Sequence, residues 1–565
     1  MIGSSRSLHP EYIRLKDNFG LSFKLMLFVD LPVEVLPLII QHVLRPSHLV
    51  QLCLVNKDFH ESTVPVLYER PAIYAWYREA KNRATQLFRT LCNCPKLARY
   101  VRRLELRDFP KAISRDSANQ LTHLCVSGLA NCVNLTSCTW TRDGTLKEDI
   151  LEALSRCPSL QAIEINGRHA HNYDPELLLR FARLRRISVI MPTAEVVHAL
   201  PGCFQRNLET LQELTIICKF TSVVSDAWLQ EMAPSLSGLE KLHLAGCPKI
   251  TQKGLIHLLR ENVPGITDLA LEGLSPSFDM KEFAASSSRS LTKLSSITLT
   301  APISGATQSW LSSVEALLFH SSALGKFHLY ATGDRVKSIY DLNTGFIRSI
   351  ADRHRESLTR FAVLRLPMDL SSLDYLVENA NRLEELFVTM RRQELLQLGP
   401  VVAQSQTLRT LHVTIALNPM TTRATSFASS VGFGRSDAYA IANLPFSPYN
   451  LDGDDDDEEE DEEEGSGGLL VERREPDSRF AASGQRGTQN PLPNMDELEE
   501  LATQFGERLA QFGVQTRVWQ VERIFNSDCE ESKGGGNEEG SNKLRVRLAP
   551  YESPDVPEVF LVART

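Results

Sequence analysis

The chain has 565 residues, 42% of them hydrophobic, which allows several domains or one long repeat array with a sizeable core. Its net charge is −9, but one run from Asp452 to Glu464 contributes −12, so the remaining residues together carry +3. A body so close to neutral lacks the basic footprint of nucleic-acid-binding proteins, and we therefore expect no nucleic acid among the partners.

Residues 1–28 are predicted to be an N-terminal extension without a secretory signal. The longest apolar run near the N-terminus, Leu25 to Val29, is shorter than the roughly 7–15 residues of a signal-peptide core, and no run reaches the ~20 residues that cross a bilayer. Eleven scattered cysteines indicate reduced thiols, and the single tight pair, Cys92 and Cys94, is weak support for zinc. We therefore expect a cytoplasmic or nuclear protein with no metal, no cofactor and no membrane partner.

Residues 29–70 are predicted to form a small all-α module. Pro32 suits a first helical turn, and Pro46 with Ser47 separates two helical stripes of apolar residues. The stripes consist of Val35, Ile39, Ile40 and Val43, followed by Leu49, Leu52, Val55 and Phe59. So small a unit makes a poor core of its own, which indicates that a neighbour or partner completes its apolar surface.

The segment from residue 31 to residue 68 resembles the F-box, the motif that joins substrate receptors to the Skp adaptor in Skp–cullin–F-box ubiquitin ligases. The matching residues are Leu31, Pro32, Glu34, Ile39, Pro46, Leu49, Leu52, Val55, Asn56, Lys57, Leu67 and Tyr68. Phe59 stands where the family usually has tryptophan. The resemblance implies binding to a Skp adaptor, and through it to a cullin. It implies the following adaptor-binding residues: Leu31, Pro32, Ile39, Leu49, Leu52, Val55 and Phe59. The alternative is that the module is only an N-terminal helical cap for the rest of the fold.

A helical connector is expected over residues 71–97, and residues 98–415 then repeat one pattern. An apolar residue is followed by two residues of any kind, an apolar residue, one of any kind, and another apolar residue. Copies begin at Leu160, Leu184, Leu211, Leu239, Ile266, Leu294, Leu324, Leu358, Leu383 and Leu408, with looser ones at Val101 and Leu135. From Leu135 onward, successive copies start 24–34 residues apart.

Each copy predicts a strand and a helix. The last two apolar positions alternate with a polar one and therefore point to the same side of a short strand. The rest of a unit carries helical spacing, as in Leu255, Leu258 and Leu259. Because one such unit cannot bury both of its faces, the units must stack into a continuous core. The predicted fold class is an α/β repeat solenoid, with an all-α module in front.

Residues 239–259, LEKLHLAGCPKITQKGLIHLL, show which repeat this is. They resemble the cysteine-containing leucine-rich repeat, in which Cys247 after Gly246 fills the tight bend that comes after the strand. The resemblance implies a horseshoe with a parallel sheet on its concave face. Several other copies are longer and lack the Gly-Cys pair, so an irregular solenoid is expected.

Residues 416–494 are rich in Ser, Gly, Pro and acidic residues, which predicts a disordered insertion. The acidic run within it is interpreted as a solvating spacer rather than an arm for basic partners. Residues 495–565 are predicted to cap the solenoid with a helix and strands. Asn494 and Glu497 resemble a capping box, and a helical stripe runs from Leu498 to Phe512. Strand-like runs are Val514–Phe525, Leu544–Leu548 and Val559–Val562.

The chain is predicted to be non-catalytic, because it contains no phosphate-binding loop, zinc-protease motif or serine-hydrolase motif. The middle strand position is histidine in three repeats, at His243, His328 and His412. These lie three strands apart, about 14 Å, whereas metal ligation needs donors within ~2 Å of one ion, so solvated histidines are expected. The concave-face positions predicted to bind a target are Arg186, Lys241, His243, Lys326, His328, Tyr330, Phe387 and His412.

Together these features predict the substrate-recognition subunit of a Skp–cullin–F-box ubiquitin ligase, which binds the adaptor at one end and an unidentified target on the solenoid. Ubiquitin transfer would be performed by the partner proteins, since tethering raises the effective concentration of target lysines. Two alternatives remain. The first is a leucine-rich-repeat interaction scaffold outside any ligase. The second is an enzymatic or regulatory role such as GTPase activation, for which the sequence offers no functional loop.

Overall fold

The computed structural model describes residues 32–43, 46–75, 79–111, 115–218, 222–302, 307–321, 323–331, 342–395, 397–416, 493–515, 517–525 and 544–550. The predicted N-terminal extension, Leu31, nearly all of the insertion with its acidic run, and the strand-like run Val559–Val562 lie outside the described residues. The chain divides into two compact units, one ending at Leu67 and the other beginning at Tyr68. None of the helices in the described ranges is long and apolar enough to span a membrane.

The strands are β1 Ala72–Ile73, β2 Arg103–Leu106, β3 Ser137–Trp140, β4 Ala162–Asn166, β5 Arg186–Ile190, β6 Glu213–Ile217, β7 Lys241–Ala245, β8 Asp268–Glu272, β9 Ser296–Ala301, β10 Lys326–Ala331, β11 Arg360–Pro367, β12 Glu385–Arg391, β13 Thr410–Ala416, β14 Gln511–Val514, β15 Arg517–Phe525 and β16 Leu544–Pro550. The α-helices are α1 Leu36–Ile40, α2 Pro46–Cys53, α3 Lys57–Glu69, α4 Ala80–Asn93, α5 Pro95–Ala98, α6 Arg115–Asn131, α7 Glu148–Ser155, α8 Ala194–Arg206, α9 Asp226–Met232, α10 Gln252–Glu261, α11 Met280–Ser287, α12 Gln308–Leu317, α13 Thr344–Arg353, α14 Leu370–Asn379, α15 Arg392–Leu395, α16 Leu398–Ala403 and α17 Met495–Thr503. The 3-10 helices are Val33–Val35, Pro175–Arg180, Ala233–Leu236 and Leu318–His320.

The first unit is built from α1, α2 and most of α3. Its core holds three buried residues, Leu36, Ile40 and Leu49, with Val43, Leu52, Phe59, Val66 and Leu67 packed against them. The second predicted stripe is divided between α2 and α3, because the side chain of Asn56 accepts a hydrogen bond from the backbone N–H of Phe59 at 2.9 Å and starts a new helix. The result is a set of short helices around a very small core.

In the second unit, the sixteen strands that the structure describes form one sheet and succeed one another in chain order. Neighbouring strands from β1 to β14 run parallel, whereas β14, β15 and β16 pair antiparallel. The predicted apolar positions lie side by side: Leu214 pairs with Leu242, and Leu242 with Leu269. Strand–helix units therefore stack as the repeat pattern predicts, and the solenoid fold is confirmed.

One continuous apolar core lies between the sheet and the helices, and the leucines of the repeat pattern are buried in it. The bend after β7 is made by Gly246, whose φ is +63°. A Cβ there would lie 2.0 Å from the carbonyl oxygen of Cys218, so glycine is required. The thiol of Cys247 is buried just after it, as the leucine-rich-repeat resemblance implies.

Two stretches differ from the sequence-based expectations. Residues 71–97, predicted to be a helical connector, belong to the second unit and contain a strand as well as helices, since β1 pairs with β2. The capping box of Asn494 and Glu497 is present, but α17 ends at Thr503, and Phe512 lies in β14 rather than in the predicted helical stripe. The predicted strand Val514–Phe525 is divided by a turn at Gln515, which has a φ of 55°.

A buried asparagine supports the turn that leads into β5. The side chain of Asn207 donates to the carbonyl oxygens of Cys203 at 2.8 Å and Phe181 at 3.1 Å, and accepts from the backbone N–H of Leu184 at 2.7 Å. These three bonds join the end of α8 to the loop before β5. They satisfy backbone groups that water cannot reach.

We predict that Asn207→Ala lowers the free energy of unfolding by about 2–3 kcal/mol, because it leaves buried backbone groups without partners. Chemical denaturation followed by circular dichroism measures this change. The matched control is Asn134→Ala, an exposed asparagine that also bonds a carbonyl oxygen, that of Arg99. It is expected to cost less than about 0.5 kcal/mol. Equal losses in the two variants would contradict the assigned role of Asn207.

Candidate functional site

The surface of the first unit carries exposed apolar side chains. They are Val33, Leu38, Ile39, Val50, Leu54 and Val55. Leu54 is 81% exposed, which is an unusual position for leucine. Exposed apolar residues concentrated in so short a segment mark a surface that a partner can cover.

The residues predicted to bind the adaptor fall into two groups. Pro32 is exposed in front of the first 3-10 helix, and Ile39 and Val55 are 39% and 60% exposed. Leu49, by contrast, is 6% exposed and lies in the module's own core, against which Leu52 and Phe59 pack.

Sequence reasoning missed four of the exposed apolar residues: Val33, Leu38, Val50 and Leu54. The exposure of Leu38 could have been predicted from the run Leu36-Pro-Leu-Ile-Ile40. This run has more apolar residues than one buried stripe of a helix can contain. In α1 only Leu36 and Ile40 are buried, so Leu38 and Ile39 are left at the surface.

The second candidate surface is the side of the sheet that faces away from the helices, which we call the open face. Its middle positions form one column of registered residues across the strands. From β2 to β14 the column reads Glu105, Thr139, Glu164, Ser188, Thr215, His243, Ala270, Thr298, His328, Ala362, Phe387, His412 and Gly513. Its first half is polar and its second half is more apolar.

The two fully exposed residues of the predicted target-binding set lie on β5 and β7. Arg186 and Lys241 are exposed, and both contact Glu213 on the strand between them, Arg186 at 3.7 Å and Lys241 at 2.7 Å. His243 is partly exposed, with its Nε2 2.8 Å from a carboxylate oxygen of the buried Glu272. This region combines alternating charges with an imidazole, which can hydrogen-bond to polar groups of a partner.

Lys326 and Tyr330 on β10 are partly exposed. The hydroxyl of Tyr330 donates a hydrogen bond to the carboxylate of Glu272. Burial, together with the negative charge of Glu272, raises the pKa of this hydroxyl well above its usual value. Tyr330 and His243 therefore approach one buried carboxylate from different strands, a convergence that sequence spacing did not reveal.

Three predicted surface residues are buried, and that expectation was wrong. His328 lies in register between Thr298 and Ala362, and its Nδ1 is 3.4 Å from the hydroxyl of Thr298. The ring of His412, 3% exposed, stacks with that of Phe387 at a centroid distance of 6.0 Å. Each of the three rings has a small residue beside it on one neighbouring strand, an alanine or a glycine, which allows the ring to pack down onto the sheet.

The amino-terminal end of the open face is occupied by internal ion pairs. Glu105 accepts hydrogen bonds from Arg70 at 2.6 Å and from the hydroxyl of Tyr74 at 3.1 Å. Arg107 binds both carboxylate oxygens of Glu164, at 3.0 and 3.4 Å. Such bidentate pairs hold side chains in place. These groups are therefore already engaged within the chain.

Within the described ranges, no group of three histidine, cysteine or acidic side chains is arranged to hold a metal ion. The cysteines there have free thiols. Burial raises the pKa of Cys132 to about 12 and that of Cys157 to about 11. Thiols with such a high pKa remain protonated at neutral pH and are poor nucleophiles.

The buried histidines predict a dependence of stability on acid. Burial, with smaller effects of Arg360 and Lys326, lowers the pKa of His328 to about 3, whereas a histidine in the unfolded chain has a pKa near 6.5. Between these values the unfolded state binds more protons, so stability is lost as the pH falls below about 6.5.

Going from pH 7.5 to pH 5, the free energy of unfolding of the His328→Gln variant should therefore fall by about 2 kcal/mol less than that of the unchanged protein. Denaturant titrations at several pH values measure this difference. His198→Gln, at an exposed histidine of α8, serves as the control and should behave like the unchanged protein. If His328→Gln loses stability as steeply as the unchanged protein, His328 is not buried in its neutral form.

Comparison with known proteins yields one family match. Residues 28–110 match the COS11 F-box domain. No curated protein matches the chain. One similar solved structure is the "Crystal structure of Rad7 and Elc1 complex in yeast", with 13% identity and a TM-score of 0.39 over 59% of this chain and 88% of that chain. A structural similarity this low does not establish a shared fold or function. The family match confirms the F-box resemblance, and the register of the strands confirms the repeats: this chain has an F-box domain at its N-terminus, followed by a solenoid of stacked strand–helix units.

Proposed function

We propose that this protein is a substrate receptor of a Skp–cullin–F-box type ubiquitin ligase. The F-box domain binds a Skp-type adaptor, which connects it to a cullin, and the solenoid holds the target. The observation that supports this most directly is the group of exposed apolar side chains on a segment that matches an F-box family.

The physical case for adaptor binding starts from the very small core of the first unit. Among the residues of this unit that the structure describes, the three buried ones of the core provide little stabilisation, while Leu54, Val55 and Ile39 remain in contact with water. Each buried apolar side chain contributes about 1.5–3 kcal/mol relative to its exposed state. A partner that covers these residues therefore gains affinity and stabilises the module at the same time.

Target binding is assigned to β5–β7 of the open face. Arg186 and Lys241 contact Glu213, yet their side chains remain 51% and 48% exposed. The paired arginines of the amino-terminal strands are less accessible, since Arg70 and Arg107 are 28% and 18% exposed. Charged and imidazole groups on a rigid sheet give specificity through matched polar contacts. The target class that fits is a folded or extended protein segment with polar side chains of both signs.

The chain takes no covalent part in the proposed reaction. Ubiquitin transfer occurs between the partner proteins, and this chain contributes by holding the target lysines at a high effective concentration near the conjugating enzyme. A rigid solenoid suits this task, because each repeat packs on its neighbours throughout one continuous core.

We predict that the double change Ile39→Arg and Val55→Arg in the full chain abolishes co-purification with a Skp-type adaptor. A central interface residue contributes about 2 kcal/mol or more, which corresponds to at least about thirtyfold in affinity for each position. The melting temperature of the solenoid should stay the same, since both side chains are exposed in the free protein.

The matched control is Val133→Arg with Val263→Arg, two exposed valines of the second unit. This variant should retain the adaptor. Adaptor binding that survives the Ile39 and Val55 changes would contradict the proposed interface. If the unchanged protein binds no Skp-type adaptor at all, the chain is an interaction scaffold outside any ligase.

A further inference from the structure

The segment from residue 79 to residue 103 is unusually basic. It contains seven lysines and arginines but only one acidic residue, Glu79. The basic residues, which we call the basic patch, are Lys81, Arg83, Arg89, Lys96, Arg99, Arg102 and Arg103. The segment alone has a net charge of +6, in a chain whose net charge is −9.

All seven side chains of the basic patch are exposed. Within the part of the chain that the structure describes, none of them has an ion-pair partner. Some arginines elsewhere do have partners: Arg107 is paired with Glu164 and Arg186 with Glu213. The basic patch is therefore an uncompensated concentration of positive charge, and its members repel one another until an anion binds.

The backbone that carries the patch is fixed in place. Helix α4 buries Ala84, Phe88 and Leu91 in the core. The side chain of Asn131 donates to the carbonyl oxygen of Leu91 at 2.9 Å, and that of Asn134 donates to the carbonyl oxygen of Arg99 at 2.8 Å. Four of the seven basic residues, Lys96, Arg99, Arg102 and Arg103, lie in the eight residues from α5 to the start of β2.

We propose that the basic patch binds the acidic run of the same chain, Asp452 to Glu464. Twelve of the thirteen residues of that run are acidic, and it is the most negative segment of the sequence. The run carries −12 and the segment 79–103 carries +6 of the total charge of −9, so all other residues together have a net charge of only −3. The two segments are complementary in sign, and each is the largest concentration of its charge.

The covalent connection is long enough for this contact. Residues 417–451 join β13 to the acidic run, and 35 residues can span up to about 120 Å. Strands β2 and β13 are eleven steps apart in the sheet, about 53 Å along the stack at ~4.8 Å per step. A tethered run has a high effective concentration, which favours it over free anions of similar charge.

A polyanion of another kind, such as nucleic acid, would also be attracted to seven free cations. The acidic run competes with such a polyanion for the basic patch. Because the run is covalently attached to the same chain, it cannot diffuse away from the patch. The patch also contains only one exposed aromatic residue, Tyr100, on which a base could stack. The observations therefore favour the chain's own acidic run as the occupant.

The test uses the full chain in two forms, unchanged and with the twelve acidic residues of the run replaced by Asn or Gln. A labelled peptide of residues 450–466 is titrated with each form at about 50 mM salt, and binding is measured by fluorescence anisotropy. The charge-neutralised chain should bind the peptide at least about tenfold more tightly than the unchanged chain, whose own run occupies the patch.

A second comparison locates the site. In the charge-neutralised chain, the combined changes Lys96→Gln, Arg99→Gln, Arg102→Gln and Arg103→Gln should weaken peptide binding about tenfold, or about 1.4 kcal/mol. The matched control changes four exposed basic residues of the central repeats to Gln: Lys253, Arg260, Lys281 and Arg289. It should leave the affinity unchanged.

Three outcomes would overturn the proposal. The peptide could bind equally to the unchanged and neutralised chains, or equally to the patch and control variants. In the third outcome, the charge-neutralised chain does not bind the peptide but binds a labelled duplex DNA through the basic patch. That result would identify the patch as a nucleic-acid-binding surface instead. None of these measurements involves the adaptor, so they stand apart from the proposed ligase function.

Discussion

The structure depends on one constraint: a strand–helix unit cannot bury both of its faces by itself. Its apolar residues are removed from water only when the next unit brings the same positions into register, as Leu214, Leu242 and Leu269 show. The parallel register results from this requirement, because an offset of one residue would place leucines opposite polar residues. The sheet, the core and the open face are all consequences of that register.

The repeat region was predictable because its signal recurs in every unit, so that local irregularities do not disturb it. The residues on the open face were harder to predict, since their burial depends on the side chains beside them on other strands. The packing of His412 is set by Phe387 on one side and by Gly513 on the other, and Gly513 lies about a hundred residues further along the chain. No local pattern contains that information. The same reason explains why the convergence of His243 and Tyr330 on Glu272 was missed.

The F-box domain differs from the solenoid, because it has a very small core and many exposed apolar side chains. Its motif was recognisable in sequence, and the family match confirms it. The motif could not separate residues that hold the domain together from residues that face outward. Leu49 and Val55 both belong to the motif, yet Leu49 is buried and Val55 is exposed. The side chains of a short helix differ in burial according to how three helices pack, and a pattern of apolar letters does not specify that packing.

The charged side chains of this protein are distributed in two ways: some are paired across strands, and others are concentrated in segments of one sign. At several places on the open face, basic side chains and carboxylates neutralise one another across neighbouring strands, as Arg186, Glu213 and Lys241 do. Such pairs give a surface with little net field, suited to specific contacts rather than to attraction over long distances. The sequence itself is unbalanced in two segments: residues 79–103 have seven basic residues and one acidic, and the acidic run has twelve acidic residues and no basic one. The two segments carry the largest concentrations of charge in the sequence, and because their signs are opposite, they are most simply explained as partners of each other.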